Sequence, residues 1–170
     1  MKKKIIVSVF LSFVVLIGSF YAGNVNKAEA AYLYKYTWPF KTQQMTVKLD
    51  TNYSVTGYEV YRGFTNRIGI TMNYKVSATT GLKVTNLNYY VYGMMWPVSA
   101  TGKSKAITKS TASVGGTATA EAIYTAKISG WKSGLVLLTE YPRTDGQLKL
   151  VSIDKTKKTA VVKFTGMLRH

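Results

Sequence analysis

The chain has 170 residues and a formal net charge of +16, because 23 basic residues outnumber 7 acidic ones, and it contains no cysteine. The lack of cysteine excludes disulfide bonds, thiol nucleophiles and zinc sites built on thiolates. The excess of positive charge predicts attraction to anionic partners, because a field of one sign raises the encounter rate with ligands of the opposite sign.

Residues 1–30 have the pattern of a signal peptide. Three lysines, Lys2–Lys4, precede the apolar run Ile5–Gly18, and an A-x-A cleavage signal ends at Ala30. The run is shorter than the roughly 20 residues that a membrane-spanning helix needs. We therefore expect cleavage, a secreted or cell-wall-associated protein and a single domain over residues 31–170. Removing four lysines and one glutamate with this segment leaves 19 basic and 6 acidic residues, a net charge of +13.

The sequence beyond residue 30 is typical of β-structure. Tyrosine, threonine and valine dominate, and apolar and polar residues alternate between turn-forming residues. The pattern favours an antiparallel sandwich or barrel, and we predict an all-β, Greek-key-like antiparallel β-sandwich. We predict about ten strands, at residues 32–38, 43–50, 56–63, 67–77, 82–95, 104–114, 117–129, 134–141, 147–153 and 159–167.

Two segments, 32–39 and 90–97, share the pattern Y-x-Y-x-x-x-W-P. Within each segment the rings have the same parity, so on a regular strand they share a face. Aromatic rings offer flat apolar faces with polar edges, and basic side chains neutralise anionic groups. The aromatic ligand-binding residues that we predict are Tyr32, Tyr34, Trp38, Tyr90, Tyr92 and Trp96. The basic ones are Lys35, Arg62, Lys103, Lys105 and Lys109.

The alternative interpretation of these rings is structural, because tyrosine is a good strand residue whose ring covers a sheet. In the second segment we expect Met94 and Trp96 to pack in the core. Tyr90 and Tyr92 are expected to reach solvent, which makes them the better ligand candidates.

Residues 105–127 have the pattern of a long hairpin with a turn at Gly115-Gly116. Each arm has about the length of a membrane-spanning β-strand, and hairpins of this kind are typical of pore-forming β-proteins. The other interpretation is an ordinary hairpin whose small residues allow another sheet or loop to approach. One face of the second arm consists of Ala118, Ala120, Ala122, Tyr124, Ala126 and Ile128.

Catalytic chemistry has few candidates in this sequence. The only histidine, His170, is the last residue, where chains usually fray, so we predict no histidine-based nucleophile system, no metal site and no cofactor. Glu59, Glu121 and Glu140 are the carboxylates that an acid/base enzyme would use. Their simpler interpretation is as surface carboxylates paired with lysines, and we predict no catalytic residue and no enzyme activity.

These patterns favour a secreted, non-catalytic cationic β-protein that binds anionic polymers of the cell envelope or extracellular matrix. A second interpretation is a membrane-active, toxin- or bacteriocin-like protein that inserts the 105–127 hairpin into an anionic membrane. A third is a secreted inhibitor or immunity-type module that binds another protein. No signature of nucleic-acid recognition is present, so we expect no specific nucleic-acid partner.

Overall fold

The computed structural model describes residues 36–62, 65–130 and 134–170. The chain divides into two units, Met1–Tyr36 and Thr37–His170. The predicted signal peptide, the predicted candidates Tyr32, Tyr34 and Lys35, and the predicted domain start at residue 31 lie outside the described residues. Within the described ranges, no helix has the length and hydropathy needed to cross a membrane.

The described part of the chain contains eleven β-strands, and every pairing between them is antiparallel. The strands are β1 (Thr37–Pro39), β2 (Gln43–Lys48), β3 (Asn52–Val60), β4 (Arg67–Ser77), β5 (Gly81–Tyr92), β6 (Val98–Lys109), β7 (Thr111–Ala112), β8 (Thr117–Ser129), β9 (Val136–Glu140), β10 (Arg143–Asp154) and β11 (Thr159–Arg169).

The large sheet contains seven strands in the order β1-β11-β10-β8-β6, with β2 also beside β11 and β9 also beside β8. β1 pairs with the end of β11 and β2 with its beginning, so β1 and β2 follow one another along the same neighbour. β9 and β10 likewise follow one another along β8. The first interruption directly follows Pro39 and the second contains Pro142, and a proline has no N–H group to donate to a neighbouring strand.

The small sheet is a meander of β3, β4 and β5, to which β7 adds a short fourth strand. After β6 the chain crosses to this sheet, where Ala112 pairs with Leu82, and it then returns to the large sheet as β8. The turn predicted at Gly115-Gly116 is present, since Gly116 N donates to Ser113 O at 2.9 Å. The predicted hairpin is present in part: β6 and β8 pair directly with each other, but the first arm ends at Lys109 because β7 belongs to the small sheet.

The two sheets pack face to face around one apolar core, so the prediction of an all-β antiparallel sandwich is confirmed. Alternate residues of β4, from Ile68 to Val76, are buried on one side, and alternate residues of β11 are buried on the other. The sheets approach closely at Gly57 of β3, where a Cβ atom would lie 2.3 Å from the ring of Phe164 and 2.6 Å from that of Phe40.

The predicted bounds agree with the structure where alternation is strict and fail at the edges. β4 and β8 have the predicted bounds, whereas β6 begins at Val98, six residues before its predicted start at 104. β6 lies at the edge of the large sheet, and most of its residues are exposed on both faces. Its sequence therefore lacks the alternation of apolar and polar residues from which a strand is predicted.

Candidate functional site

The outer face of the small sheet groups exposed aromatic and basic side chains. In β4 every second residue from Ile68 to Val76 is buried against the large sheet, so the residues between them point outward. The register of β3 with β4, and of β4 with β5, then fixes which outward side chains lie next to each other. Each row across this face takes one residue from each of the three strands.

One end of this outer face holds three tyrosines and an arginine, which we call the tyrosine face: Tyr58, Tyr90, Tyr92 and Arg67. The ring centroids of Tyr58 and Tyr90 are 5.2 Å apart, and those of Tyr90 and Tyr92 are 6.4 Å apart. The guanidinium carbon of Arg67 lies 5.0 Å from the ring centroid of Tyr58 and 5.8 Å from that of Tyr92, within the range of cation–π attraction. Tyr92 still has 61% of its surface exposed.

Gly69 explains why the rings of Tyr58 and Tyr90 can meet. It is the register partner of both, so it lies between them in β4. A Cβ atom at Gly69 would lie 2.5 Å from the Cβ of Tyr58, closer than two nonbonded carbons approach. The missing side chain leaves a space that the two rings close over, and the glycine is buried beneath them.

Polar rows continue this outer face away from the tyrosines. The next two rows carry hydroxyl and amide groups; their residues are Thr56, Thr71 and Asn88, then Ser54, Asn73 and Asn86. Lys75 and Lys83 lie directly opposite each other in the row beyond. Arg67 and Lys75 are the two ends of the series along β4, which spans about 26 Å at the usual rise per residue of a strand.

The basic groups of this outer face have little acidic compensation. Arg67 and Lys83 form no ion pair with any described residue. Lys75 Nζ lies 3.6 Å from Asp50 Oδ1, but both side chains are well exposed, and such pairs contribute little to stability. Like charges directly opposite each other across a strand pair repel, so an anion placed between Lys75 and Lys83 would relieve that repulsion.

A second group of polar residues surrounds the buried carboxylate of Glu140 at one end of the sandwich, and we call it the glutamate cluster: Glu140, Tyr61, Arg62 and His170. The Glu140 carboxylate accepts hydrogen bonds from the Tyr61 hydroxyl and from Arg62, whose Nε lies 3.0 Å from Oε2. His170 Nε2 lies 2.6 Å from the same oxygen. The ring of His170 also packs 5.0 Å from that of Tyr61 and 6.1 Å from that of Trp38.

The surroundings of Glu140 determine its protonation. Burial alone would raise its pKa, but the hydrogen bonds from His170, Tyr61 and Arg62 outweigh that effect and lower the pKa to about 2. Burial and the hydrogen bond to the Glu140 carboxylate both raise the pKa of Tyr61. A carboxylate with so low a pKa is a weak general base, so the geometry of the glutamate cluster is that of a structural ion-pair network.

Two expectations about these acidic and histidine residues are wrong. His170 does not fray, because its side chain is 5% exposed and bound to Glu140. Glu140 is not a surface carboxylate paired with lysine, because it is buried and pairs with Arg62.

The other two candidate carboxylates lie elsewhere. Glu121 pairs with Arg143 on the outer face of the large sheet, and Glu59 accepts a hydrogen bond from the Val60 N–H. The three candidate carboxylates are held by different partners.

The predicted basic residues are spread over several places. Arg62 belongs to the glutamate cluster. Lys103 Nζ lies 3.8 Å from the ring centroid of Tyr141, and Lys105 Nζ donates to Leu87 O at 2.5 Å. Lys109 lies on the outer face of the large sheet, where its register partner is Thr119. None of these four joins the tyrosine face.

The predicted aromatic residues are also divided. Tyr90 and Tyr92 lie on the tyrosine face, as a solvent-facing pair, whereas Trp38 lies in β1 beside His170. Met94 is partly buried against the core, as expected. Trp96 is 50% exposed, so the expectation that it packs in the core is wrong. Trp96 lies in the loop between β5 and β6. The expectation extended the alternation of β5 as far as Trp96, whereas the strand ends at Tyr92.

Tyr58 and Arg67 are members of the tyrosine face that were not among the predicted ligand-binding residues. Both lie close to the β3–β4 turn, and the register of that turn pairs Val60 with Arg67 and Tyr58 with Gly69. The sequence contains one signal for this arrangement, an isolated glycine within a strand pattern, which indicates a close approach by a neighbouring group.

Among the described residues no group of three or more His, Cys, Asp or Glu side chains is placed to hold a metal ion. No protein-family model matches the chain, and no curated protein matches it either. The chain is distantly similar to the crystal structure of a hypothetical protein from Listeria monocytogenes EGD-e. The sequence identity is 10%, the TM-score is 0.35, and the alignment covers 75% of this chain and 78% of that chain. This similarity is too low to carry an argument about function.

Proposed function

We propose that this protein is an exported, cationic β-sandwich that binds an anionic polymer of the cell envelope or extracellular matrix along the outer face of the small sheet. The observation that carries the proposal is the alignment of the tyrosine face with Lys75 and Lys83 on one strand face about 26 Å long. An extended polymer fits this surface better than a small ligand, because the chemical groups are arranged in line.

Each part of this outer face has a role in the proposed binding. The exposed ring of Tyr92 offers a flat apolar surface for a sugar ring, and its hydroxyl offers a polar edge. The hydroxyl and amide rows offer donors and acceptors to the hydroxyl groups of a glycan. Arg67, Lys75 and Lys83 contact the phosphate or carboxylate groups, and Arg67 is already oriented by the rings beside it.

The charge of the whole chain supports the same partner. With 19 basic and 6 acidic residues after the expected cleavage, the protein attracts a polyanion before any specific contact forms. Long-range attraction of this kind accelerates encounter, whereas the rings and amides of the outer face determine where the polymer settles.

The proposal is tested with purified bacterial cell walls, used with and without their phosphodiester polymers. We expect the protein to sediment with the intact walls and not with the extracted ones. The double substitution of Tyr92→Ala with Arg67→Gln weakens binding by about tenfold, because one stacked ring contributes roughly 1–3 kcal/mol and tenfold corresponds to 1.4 kcal/mol.

Tyr141→Ala is the matched control, because Tyr141 is 57% exposed and lies outside the small sheet. It removes a similar exposed ring and leaves wall binding unchanged. Equal losses in Tyr141→Ala and in the double variant, or equal sedimentation with extracted walls, would sink the proposal.

The pore-forming interpretation and the protein-binding interpretation stay untested predictions. In this structure Ala118, Ala120, Ala122 and Ala126 of β8 face the core and are 0–3% exposed. Insertion of that face into lipid would require the two sheets to separate.

A further inference from the structure

Exposed apolar side chains are concentrated at one end of the sandwich. Eleven large hydrophobic residues are exposed in the described part of the chain, and only Val114 and Val151 lie towards the opposite end. Contiguous exposed apolar surface marks a place of interaction, whereas single exposed residues do not. The six that lie in the β5–β6 loop and around β9 are 50–69% exposed, and we call them the apolar end: Met95, Trp96, Leu135, Val136, Leu137 and Tyr141.

The backbone brings the members of the apolar end together. Val98 pairs with Ile128, and Ile128 pairs with Leu138, so the start of β6, the end of β8 and β9 lie side by side. Ser129 N also donates to Pro97 O at 2.9 Å, which holds the β5–β6 loop against the end of β8. The loop residues before Pro97 therefore lie near β9.

The charges around the apolar end are positive. Lys103 Nζ sits 3.8 Å from the ring centroid of Tyr141, and Lys127 is the register partner of both Ser99 and Thr139. The carboxylate nearest in the chain, Glu140, is buried and takes up its hydrogen-bonding capacity with Arg62, Tyr61 and His170. The strands that carry the apolar end, β6, β8 and β9, therefore present cations there, whereas Glu59 of β3, towards the same end, accepts a hydrogen bond from the Val60 N–H.

We propose that the apolar end docks on the surface of an anionic lipid bilayer. Aromatic rings with a polar edge settle at the level of the headgroups, exposed aliphatic side chains enter the boundary of the acyl chains, and lysines contact anionic headgroups. Two copies of the chain meeting through this end would bring Lys103 and Lys127 of one copy against those of the other, and the repulsion disfavours that occupant. The apolar end contains none of the residues of the proposed polymer site, although the tyrosine face lies towards the same end of the sandwich.

The test is co-sedimentation with dye-loaded vesicles of phosphatidylcholine, with and without about a third of phosphatidylglycerol, at low salt. We expect binding to the anionic vesicles alone, with the dye retained. The double substitution of Met95→Asn with Leu137→Asn lowers the partition coefficient about tenfold, because two exposed apolar side chains are lost from the lipid boundary.

Val114→Asn with Val151→Asn is the matched control, since both side chains are exposed and lie towards the other end. It binds as the unsubstituted protein does, and all variants keep the same melting temperature. The proposal is overturned by absent binding to anionic vesicles, by equal binding to both lipid compositions or by equal losses in both double variants. Dye release overturns it in favour of insertion, and a concentration-dependent dimer that Leu137→Asn abolishes, without vesicle binding, overturns it in favour of self-association.

Discussion

At the scale of single residues, Glu140 is a buried carboxylate that contacts three other side chains. Its carboxylate is 7% exposed and receives hydrogen bonds from Tyr61, Arg62 and His170. A buried carboxylate stays charged only when hydrogen bonds and nearby charges compensate for its loss of hydration. The three donors come from the β3–β4 turn and from the end of β11, so one side chain of β9 connects distant parts of the chain.

Glu140→Gln is expected to lower the free energy of unfolding by about 3 kcal/mol at pH 7, because it leaves Arg62 and His170 without a carboxylate. In the unsubstituted protein the pKa of Glu140 is lowered from 4.5 to about 2 on folding, so the stabilisation exists above pH 4.5 and is lost as the pH falls towards 2. Denaturant melts across this pH range measure both effects.

Glu121→Gln is the control for that measurement, because Glu121 pairs with the half-exposed Arg143 and its loss costs at most about 1 kcal/mol. The Glu140→Gln variant loses the acid-dependent part of its stability, and the Glu121→Gln variant keeps it. If both variants had the same pH dependence as the unsubstituted protein, Glu140 would not be the group that titrates.

The sequence predicted that Tyr90 and Tyr92 face outward, as they do, but it did not predict the contacts that His170 and Arg62 make with Glu140. The alternation along β5 was enough to separate outward rings from inward ones. The glutamate cluster joins residues 61, 62, 140 and 170, and no local pattern in a sequence reports a contact between positions so far apart. Chain ends usually fray, so the position of His170 predicted a mobile side chain and not a buried one.

At the scale of elements, β8 shows what a strict pattern determines and what it leaves open. The alternation of alanine with threonine over residues 117–129 predicted the strand and its two faces, and both are present. The same pattern did not say whether the alanine face meets lipid or protein. In the structure it meets protein, since Tyr124 in that face donates its hydroxyl hydrogen to Gly69 O of the small sheet.

Ala122→Leu is expected to destabilise the fold by about 1–3 kcal/mol, because the added atoms have no space between the two sheets. Thr125→Leu, on the opposite face of the same strand, changes the stability by about 0.5 kcal/mol or less. Thermal melts compare the two variants. If the alanine face met lipid instead, Ala122→Leu would leave the stability in solution unchanged and would strengthen membrane insertion.

β6 was located less well than β4 or β8, because edge strands carry polar residues on both faces. Its predicted start was late, and its predicted continuation to residue 114 included β7, which pairs with the other sheet. The chain crosses between the sheets where Ala112 is buried in the core. Such a crossing involves too few residues to give a periodic pattern in the sequence.

At the scale of the whole molecule, the two proposed binding surfaces are built from different residues. The tyrosine face and its lysines lie on the outer side of the small sheet, and the apolar end closes one end of the sandwich. The outer side of the large sheet carries Lys149 and Lys163, which are register partners and have no ion pair with any described residue. Net charge alone would make this side as good a polymer site as the small sheet. The central claim is therefore that the polymer binds on the outer face of the small sheet.

The most direct test measures the dissociation constant for a soluble wall phosphodiester polymer over a series of salt concentrations. We predict that Lys75→Gln with Lys83→Gln lowers the slope of log K against log salt by about 2, because each lysine contact to a phosphate contributes about one released counterion. Lys149→Gln with Lys163→Gln removes the same charge from the opposite side and leaves the slope unchanged. Equal slopes in the two variants would contradict the account, because the polymer would then respond to net charge and not to the outer face of the small sheet.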